Sequence, residues 1–402
     1  MTGPQRPHNL SDLRDGVADA AASGTSLEIL GRGSKRALGR PVQAARALDL
    51  SALTGIRSYE PPELVLTAAA ATPLAEIEAA LAAKNQMLAF EPPHWGRLLG
   101  VQHSGSLGGA IACNLAGPRR IKSGAARDHF LGVVAVSGRG EIFKAGGKVV
   151  KNVTGYDLCK LLAGSFGTLA AMEEITVKVL PAPAKSRTVL LFGLDAASGV
   201  NALAEALNSA YEVSGAAYLP RPVAARSRVD YVRRADTSVT AIRVEGTPVS
   251  VEARSEALRR RVGAAAAVEE LHTANSAQLW SEIREVEPLL PDPGKAIWRA
   301  SVPPTGGAAV AAAMGGEYLL DWGGGLVWAA TDATGDGGAG AIRMAVRAVG
   351  GHALLVRAAP SLRAAVSVFE PQEPAIAALS GRVKQGFDPL RILNPGRMYA
   401  DL

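Results

Sequence analysis

Three glycine-rich segments, at residues 31–35, 105–109 and 164–168, lie in the first half of this 402-residue chain. Each lies beside an apolar run, such as Leu27–Leu30 before the first segment. Glycine lets backbone N–H groups approach a phosphate without a side chain in the way. The three segments therefore predict one large phosphate-bearing ligand held by backbone. A nicotinamide-binding Rossmann unit would instead concentrate its glycines in one G-x-G-x-x-G turn.

The composition is typical of a soluble protein of two or three domains, with 20% charged and 48% hydrophobic residues. The two cysteines, Cys113 and Cys159, form neither a disulfide framework nor a metal-binding spacing. The first ten residues lack the apolar segment of a secretion signal, and no apolar run is long enough to cross a membrane. We therefore expect a cytoplasmic protein without a metal.

The net charge of +6 could attract nucleic acid, a membrane surface or small anions. The basic residues are scattered with few aromatic residues among them, and no nucleic-acid motif is present. We therefore expect a small anionic substrate and no nucleic-acid partner.

Periodicity and turn residues predict the local structure of the first half. For the helix predicted at 73–84, we expect Thr72 to be the N-cap and Pro73 to occupy the first helical position. The predicted elements are strands at 27–30, 64–67 and 175–180, a helix at 73–84, and a hairpin of residues 133–137 and 141–144.

Pro181 and Pro183 mark a domain boundary, beyond which Ala-rich helical patches alternate with strand-like runs. This alternation indicates an α+β domain. The patches are helices at 200–207 and 251–268 and strands at 189–192, 239–244 and 325–330, with a loop and Ala-rich helix start at 305–316.

Four segments in a fixed order resemble the PCMH-type FAD-binding domain of the vanillyl-alcohol oxidase family. They are a Gly-x-Gly-Ser loop at 31–34, a Ser-Leu-Gly-Gly segment at 106–114, a Gly-Tyr-Asp-Leu segment at 155–169, and a closing Asp-Pro to Asn-Pro-Gly-Arg tail at 388–397. Residue 170 departs from the family pattern, since Ala170 stands where glycine is expected. The resemblance is dense over residues 20–183 and 386–398 and thin between them.

The resemblance implies an α+β fold with a two-lobed PCMH-type FAD-binding domain at residues 1–183. A smaller α+β cap or substrate domain would follow at 184–383. The tail, residues 384–402, would return and pack on the FAD domain.

Within that family, the chain is most similar to the FAD-binding E-type subunits of bacterial glycolate oxidase. Residues 117–128 resemble the E-type form of the second loop, and the His-x-Gly-Asp-Gly-x-x-His segment of the D-type subunits is missing. Gly335–Gly337 has the Gly-Asp-Gly sequence found at the centre of that segment, but no histidine flanks it. The resemblance implies a complex with a D-type flavoprotein subunit and an iron–sulfur subunit, with at most peripheral association with the inner face of the cell membrane.

The resemblance implies that FAD is the cofactor, held by backbone N–H groups and basic side chains. Cys113, within the second loop, is expected to be a small buried residue rather than a flavin attachment point. The predicted cofactor-binding residues are Gly31, Arg32, Gly33, Ser34, Lys35, Ser106, Gly108, Gly109, Asn114, Gly124, Arg127, Gly167, Thr168 and Leu169.

Oxidation of a 2-hydroxy acid needs a base for the hydroxyl proton, and His352 with Arg357 is the candidate catalytic pair. A histidine opening an apolar strand also fits a structural role. Arg119, Arg120 and Arg127 fit either an anion site or structural ion pairs.

Four further residues beside the second and third segments have expected roles. His94 and His103 precede the second loop, and either is an alternative covalent flavin anchor. We expect Tyr156 to be a packed ring and Asp157 a helix cap.

Three functions stay open at this point. The chain is an FAD-dependent oxidoreductase subunit that takes part in oxidising glycolate to glyoxylate, a non-catalytic electron-relay and assembly flavoprotein, or a stand-alone FAD-dependent oxidoreductase of the same fold. A fold that has lost FAD is disfavoured by the intact glycine loops.

Overall fold

The computed structural model describes residues 5–147, 155–263 and 266–402. The chain divides into two compact units. The first unit comprises Met1–Ala116, Gly124–Ala182 and Pro371–Leu402, and the second comprises Gly117–Ser123 and Pro183–Glu370. The division after residue 182 falls at the Pro-rich stretch. The chain re-enters the first unit at residue 371, earlier than residue 384, and the short segment 117–123 belongs to the second unit.

The strands are, in chain order, β1 (Leu27–Leu30), β2 (Arg46–Asp49), β3 (Ile56–Glu60), β4 (Val65–Ala69), β5 (Gln86–Met87), β6 (Phe130–Ser137), β7 (Ile142–Gly146), β8 (Ala170–Lys178), β9 (Leu180–Pro181), β10 (Lys185–Phe192), β11 (Gly215–Leu219), β12 (Val239–Gly246), β13 (Ala267–His272), β14 (Ala296–Ser301), β15 (Glu317–Asp321), β16 (Leu326–Thr331) and β17 (His352–Arg357).

The helices are α1 (Leu10–Ser23), α2 (Leu74–Ala82), α3 (Gly96–Leu99), α4 (Leu107–Ala112), α5 (Arg120–Ser123), α6 (Ala126–His129), α7 (Leu158–Leu162), α8 (Ala196–Leu207), α9 (Arg221–Ala224), α10 (Asp230–Arg233), α11 (Pro248–Val262), α12 (Thr273–Arg284), α13 (Gly307–Met314), α14 (Ala339–Val349), α15 (Pro360–Ala365) and α16 (Pro374–Phe387).

The first unit is built on an antiparallel five-stranded sheet in the order β3-β4-β8-β6-β7. β4 and β8 lie inside this sheet, and all of β4 and most of β8 are buried. β1 and β2 form a separate parallel pair, and β1 ends directly before the first glycine-rich segment. The sheet core and this pair therefore fix the position of the loop at residue 31.

The C-terminal tail is held to the first unit by a buried ion pair. The Lys384 ammonium donates to the Asp388 carboxylate at 2.7 Å, and also to the carbonyl oxygens of Thr168 and Leu393 at 2.7 and 3.0 Å. The Asp388 carboxylate in turn accepts from the backbone N–H groups of Ile392 and Leu393. The ion pair therefore connects α16, the returning tail and the third glycine-rich segment.

The second unit contains an antiparallel eight-stranded sheet in the order β13-β10-β12-β11-β15-β16-β14-β17. One face of the sheet packs on α8, α11, α13 and α14 through a large apolar core. Trp298 of β14 lies in that core, and its indole N–H donates to the Gly337 carbonyl at 2.9 Å. Because side chains alternate along a strand, the neighbours of Trp298 lie on the other face.

The predicted strand at 27–30 is confirmed with its ends, and the predicted strands at 64–67, 133–137, 189–192, 239–244 and 325–330 are confirmed with shifted ends. The predicted helix at 251–268 is wrong at its C-terminal end, because α11 stops at Val262 and β13 begins at Ala267. The run of alanines after Gly263 is typical of a helix, so the sequence did not indicate the change from helix to strand.

Two local predictions about helix starts and packing are wrong. The Thr72 hydroxyl does not cap α2, since it donates to the Ala69 carbonyl and accepts from the Gly55 N–H, and Pro73 precedes the helix. Tyr156 is 92% exposed and not a packed ring, whereas Asp157 does cap α7 by accepting from the Lys160 N–H.

Candidate functional site

The first glycine-rich segment turns sharply after β1. Gly33 has a φ of +73°, a left-handed conformation that favours glycine. Ser34 and Lys35 are buried, and the Lys35 ammonium donates to the His94 carbonyl at 2.6 Å. The Arg32 guanidinium donates to the Ser104 carbonyl at 3.2 Å. Two basic side chains are thus held in place around this turn.

The second segment packs backbone against backbone. The Ser106 hydroxyl caps α4 by accepting from the Gly109 N–H at 3.2 Å. The Gly108 N–H donates to the Ala70 carbonyl at 2.7 Å, and a Cβ at this glycine would lie 2.8 Å from the same oxygen. Glycine is therefore required at residue 108 by close packing on Ala70, the residue that follows β4.

The third segment meets the C-terminal tail. Gly167 has a φ of +70°, and a Cβ there would lie 2.7 Å from the Asn394 amide nitrogen. The Asn394 side chain donates to the Phe166 carbonyl at 2.8 Å and accepts from the Ile29 N–H at 2.7 Å. One tail residue therefore links β1 to the third segment.

All three segments border one cleft of about 730 Å³, including its open mouth. Its lining holds the cations Arg32, Lys35, Arg36 and Arg397, and no aspartate or glutamate among the described lining residues. The Arg36 guanidinium is paired with Glu28 at 2.6 Å outside the cleft. The cleft thus combines glycine backbone with positive charge, which fits a diphosphate group.

The structure brings most of the predicted cofactor-binding residues to this cleft. The predicted residues in its lining are Gly31, Arg32, Gly33, Ser34, Lys35, Ser106, Gly108, Gly109 and Gly167. Those outside the lining are Asn114, Gly124, Arg127, Thr168 and Leu169. Their contact with a cofactor stays a prediction.

Two of the residues outside the lining organise the start of α6. The Asn114 side-chain oxygen accepts from the Arg127 N–H at 3.0 Å, which joins the end of α4 to this helix. Asn114 and Arg127 therefore have a structural role whether or not they also contact a cofactor.

Sequence reasoning missed the contribution of the tail to the lining. Asn394 and Arg397 both line the cleft, and the Arg397 guanidinium donates to the Lys35 carbonyl at 2.7 Å. The closing Asn-Pro-Gly-Arg motif carried the signal, but nothing in the sequence showed that these side chains reach the first loop.

Cys113 borders the cleft rather than lying inside the core. Burial raises the pKa of its thiol to about 11, against the opposing charges of Arg397 and Lys35. The thiol is therefore neutral at physiological pH, which makes it a poor nucleophile. Neither His94 nor His103 belongs to the cleft lining, and the His94 ring lies 3.3 Å from the Glu78 carboxylate.

The predicted catalytic pair lies on β17 of the second unit, with His352 at its start and Arg357 at its end. The Arg357 guanidinium donates to the carbonyl oxygens of Asp292 and Lys295 at 2.8 and 3.2 Å. No hydrogen bond joins the His352 and Arg357 side chains, both of which lie in the described part of the chain. These bonds give Arg357 an anchoring role, and its catalytic role stays a prediction.

Arg119 forms a buried structural ion pair. Its guanidinium makes two hydrogen bonds of 2.9 Å to the Glu245 carboxylate. Burial tends to raise the pKa of Glu245, but the charge of Arg243 and the bonds from Arg119 lower it to about 2. Of the two readings of Arg119, the ion pair is the one that the structure shows.

The described residues contain neither a helix able to cross a membrane nor a cluster of potential metal ligands. Gly335–Gly337, the echo of the D-type histidine segment, forms a turn in which the Asp336 carboxylate accepts from the Gly338 and Gly340 N–H groups. That carboxylate thus serves to cap α14.

Comparisons with known proteins agree with this geometry. Residues 5–146 match a family described as FAD binding domain. The chain is 37% identical over 391 residues to the glycolate oxidase subunit GlcE of Escherichia coli (strain K12), covering 97% of each chain. It is also 41% identical over 95 residues to the glycolate oxidase subunit GlcD of Bacillus subtilis (strain 168), 23% of this chain and 20% of that protein.

Among solved structures, p-cresol methylhydroxylase with substrate bound superposes with a TM-score of 0.71 at 14% identity. The match covers 98% of this chain and 88% of that one. At this identity the likeness concerns the fold, which is the α+β, PCMH-type architecture expected from the sequence.

Proposed function

This chain belongs to the family of the glycolate oxidase subunit GlcE, and from that membership we infer that it is the FAD-binding subunit of a glycolate oxidase complex. FAD is its cofactor, and the complex is an oxidoreductase acting on 2-hydroxy acids. The observation that carries this proposal is the cleft of the first unit, where three glycine-rich segments meet four cationic side chains.

The residues of the cleft fit FAD by their chemistry. Backbone N–H groups of residues 31–35, with Lys35, Arg32 and Arg397, would hold its diphosphate. Gly108 and Gly167 keep the walls free of side chains. When bound, FAD supplies the two-electron acceptor for a 2-hydroxy acid and can pass the electrons on singly.

The onward path of the electrons requires a partner. The chain has two cysteines, Cys113 and Cys159, and an iron–sulfur cluster is held by about four cysteine thiolates. An iron–sulfur subunit would therefore take the electrons onward, and the similarity to a GlcD subunit supports a D-type flavoprotein as the other member of the complex. We place this complex in the cytoplasm, with at most peripheral attachment to the inner face of the cell membrane, and with a small anionic substrate.

A second candidate function is electron relay without the first oxidation step. The anchoring of Arg357 favours it, because Nε and Nη2 of its guanidinium already donate to the backbone carbonyl oxygens of Asp292 and Lys295. In that case FAD in this chain would exchange electrons with the D-type subunit.

The visible spectrum of the purified chain, followed anaerobically on addition of glycolate, separates the candidates. Flavin bands that bleach with glycolate alone identify this chain as the catalyst. Flavin bands that bleach only after the D-type partner is added support electron relay. Bleaching in neither case would contradict participation in glycolate oxidation.

A further inference from the structure

The face of the eight-stranded sheet opposite α8, α11, α13 and α14 carries an arginine on β14, the strand next to the edge strand β17. Trp298 of β14 enters the helix-side core, so Arg299 lies on the other face. Its direct partners across the ladder are Trp328 on β16 and Leu354 on β17. Arg299 is partly buried, so its guanidinium is held near the sheet rather than extended into solvent.

The contacts of this guanidinium are aromatic. It lies 5.0 Å from the Trp322 ring centroid and 6.0 Å from that of Trp328. Among the residues that the structure describes, Arg299 has no hydrogen-bond partner and no carboxylate within ion-pair distance. Its five N–H donors are therefore unused by the protein.

A second guanidinium shares the same ring. Arg120, on the short segment of the second unit at 117–123, lies 4.7 Å from the Trp322 centroid. The Trp322 ring is itself fixed, because its indole N–H donates to the Gly117 carbonyl at 3.1 Å and its backbone N–H donates to the Asp321 carboxylate at 2.7 Å.

This arrangement is electrostatically costly by itself. Burial, and then the charge of Arg120, lower the pKa of Arg299 to about 10, although Asp321 opposes this shift. Burial also lowers the pKa of His352, and the charges of Arg299 and Arg120 add to that effect. The carboxylates of Asp321 and Glu370 act in the opposite direction, and a bound anion would add to their effect by stabilising the charged form of Arg299.

Contact with aromatic rings accounts for only part of this arrangement. A cation over an indole ring gains about 0.5–2 kcal/mol. That gain explains why a guanidinium packs on Trp322, but it gives the N–H donors of Arg299 no acceptor among the described residues of the protein. A planar carboxylate matches the guanidinium in shape, charge and donor spacing.

We propose that Arg299, together with Arg120 beside the Trp322 ring, forms a binding site for the carboxylate of a small organic anion in the second unit. The choice of a 2-hydroxy acid or its 2-oxo product as that anion rests on the proposed function. The site itself rests on the geometry of the second unit alone.

Calorimetric titration of the FAD-loaded full chain with glyoxylate, acetate and inorganic phosphate tests the site. The wild type is expected to bind glyoxylate saturably, and Arg299→Met to bind it roughly 10- to 100-fold more weakly, because charge-assisted hydrogen bonds contribute about 1.5–3 kcal/mol. Arg347→Met, an exposed arginine on α14, is the matched control and should bind as the wild type does.

The other two anions identify the ligand chemistry. Acetate binding weaker than glyoxylate supports a 2-oxo acid, and equal binding supports a general carboxylate site. Phosphate binding as strong as that of either carboxylate would overturn the assignment.

The variants also separate this proposal from the proposed function. FAD content should be unchanged in Arg299→Met, since the cleft lining lies within the first unit. If Arg299→Met does not fold, Arg299→Lys keeps the charge without the two-pronged donor pattern and should still weaken glyoxylate binding. Binding that is equal in the wild type and the folded variant, or absent from the wild type, would overturn the site even if FAD is retained.

Discussion

The FAD cleft and the Arg299 site differ in whether their residues form motifs that can be recognised in the sequence. The cleft is built mainly from backbone, and close approaches such as Gly108 to the Ala70 carbonyl at 2.8 Å permit glycine alone. The Arg299 site is built from side chains on β14, on β16, on the turn that connects β15 to β16, and on the segment 117–123, and these parts meet only in the tertiary structure. A site made of backbone therefore requires glycines at fixed positions, which form a motif. The residues of a site made of side chains can lie far apart in the sequence and meet only in the folded structure.

The C-terminal tail supports the FAD cleft through the buried ion pair of Lys384 and Asp388. We expect Lys384→Met to cost about 3–5 kcal/mol in the free energy of unfolding, since it leaves the Asp388 carboxylate buried without its cation. FAD affinity should fall as well, because the Lys384 ammonium also binds the Thr168 carbonyl. Urea unfolding and FAD titration would measure both effects.

A double variant is the control for this prediction. Lys384→Met with Asp388→Asn removes both charges and should recover a large part of the lost stability. Equal destabilisation in the single and double variants would contradict a role for the charge pair itself.

The second unit has its own buried ion pair, and its effect should depend on pH. The pKa of Glu245 is lowered from 4.5 to about 2, so its contribution to stability is complete above about pH 4.5 and is lost as the pH falls towards 2. This contribution is at most about 3 kcal/mol, from the size of the shift. Urea unfolding in steps between pH 7 and pH 3 should show the loss.

In Glu245→Gln this acid-dependent loss should shrink, while stability at neutral pH should already be reduced because Arg119 and Arg243 lose their carboxylate. Glu256→Gln is the control, since Glu256 is exposed and pairs with Arg260 at the surface of α11. An unchanged pH profile in Glu245→Gln would show that other groups cause the acid sensitivity.

Substitution of Gly108 by alanine tests whether the FAD cleft depends on close approach of the backbone. In Gly108→Ala the new Cβ would lie 2.8 Å from a backbone oxygen, so the loop must shift, at about 1–3 kcal/mol. We expect a lower FAD content in the purified protein. Gly381→Ala is the matched control, because nothing lies within 4 Å of a Cβ there. Full FAD content in Gly108→Ala would argue against the close approach as a requirement.

Loss of a single cation from the cleft should have the smallest effect. We expect Arg397→Met to bind FAD roughly tenfold more weakly, since one charge-assisted contact contributes about 1.5 kcal/mol. Arg382→Met, an exposed arginine on α16, should leave the affinity unchanged. FAD titration of the apoprotein compares the two, and equal affinities would remove Arg397 from the binding residues.

The sequence predicted the parts of the fold that local chemistry determines. The glycine-rich segments, β1 and the strands of the first sheet follow from glycine sterics and apolar runs. The end of α11 at Val262 did not, because the alanines that follow Gly263 have a high helix propensity and predict a longer helix. Arg299 was missed because its role depends on Trp322 and Trp328, which are neighbours only through the strand order.

The central claim is that the cleft of the first unit makes this chain an FAD-binding subunit. The most direct test is the flavin content of the purified wild-type chain, measured by its visible spectrum and by FAD released on denaturation. The account predicts a single FAD per chain, reduced in Gly108→Ala and retained in Arg299→Met. A wild-type chain that holds no flavin after purification and takes up none when incubated with FAD would contradict it.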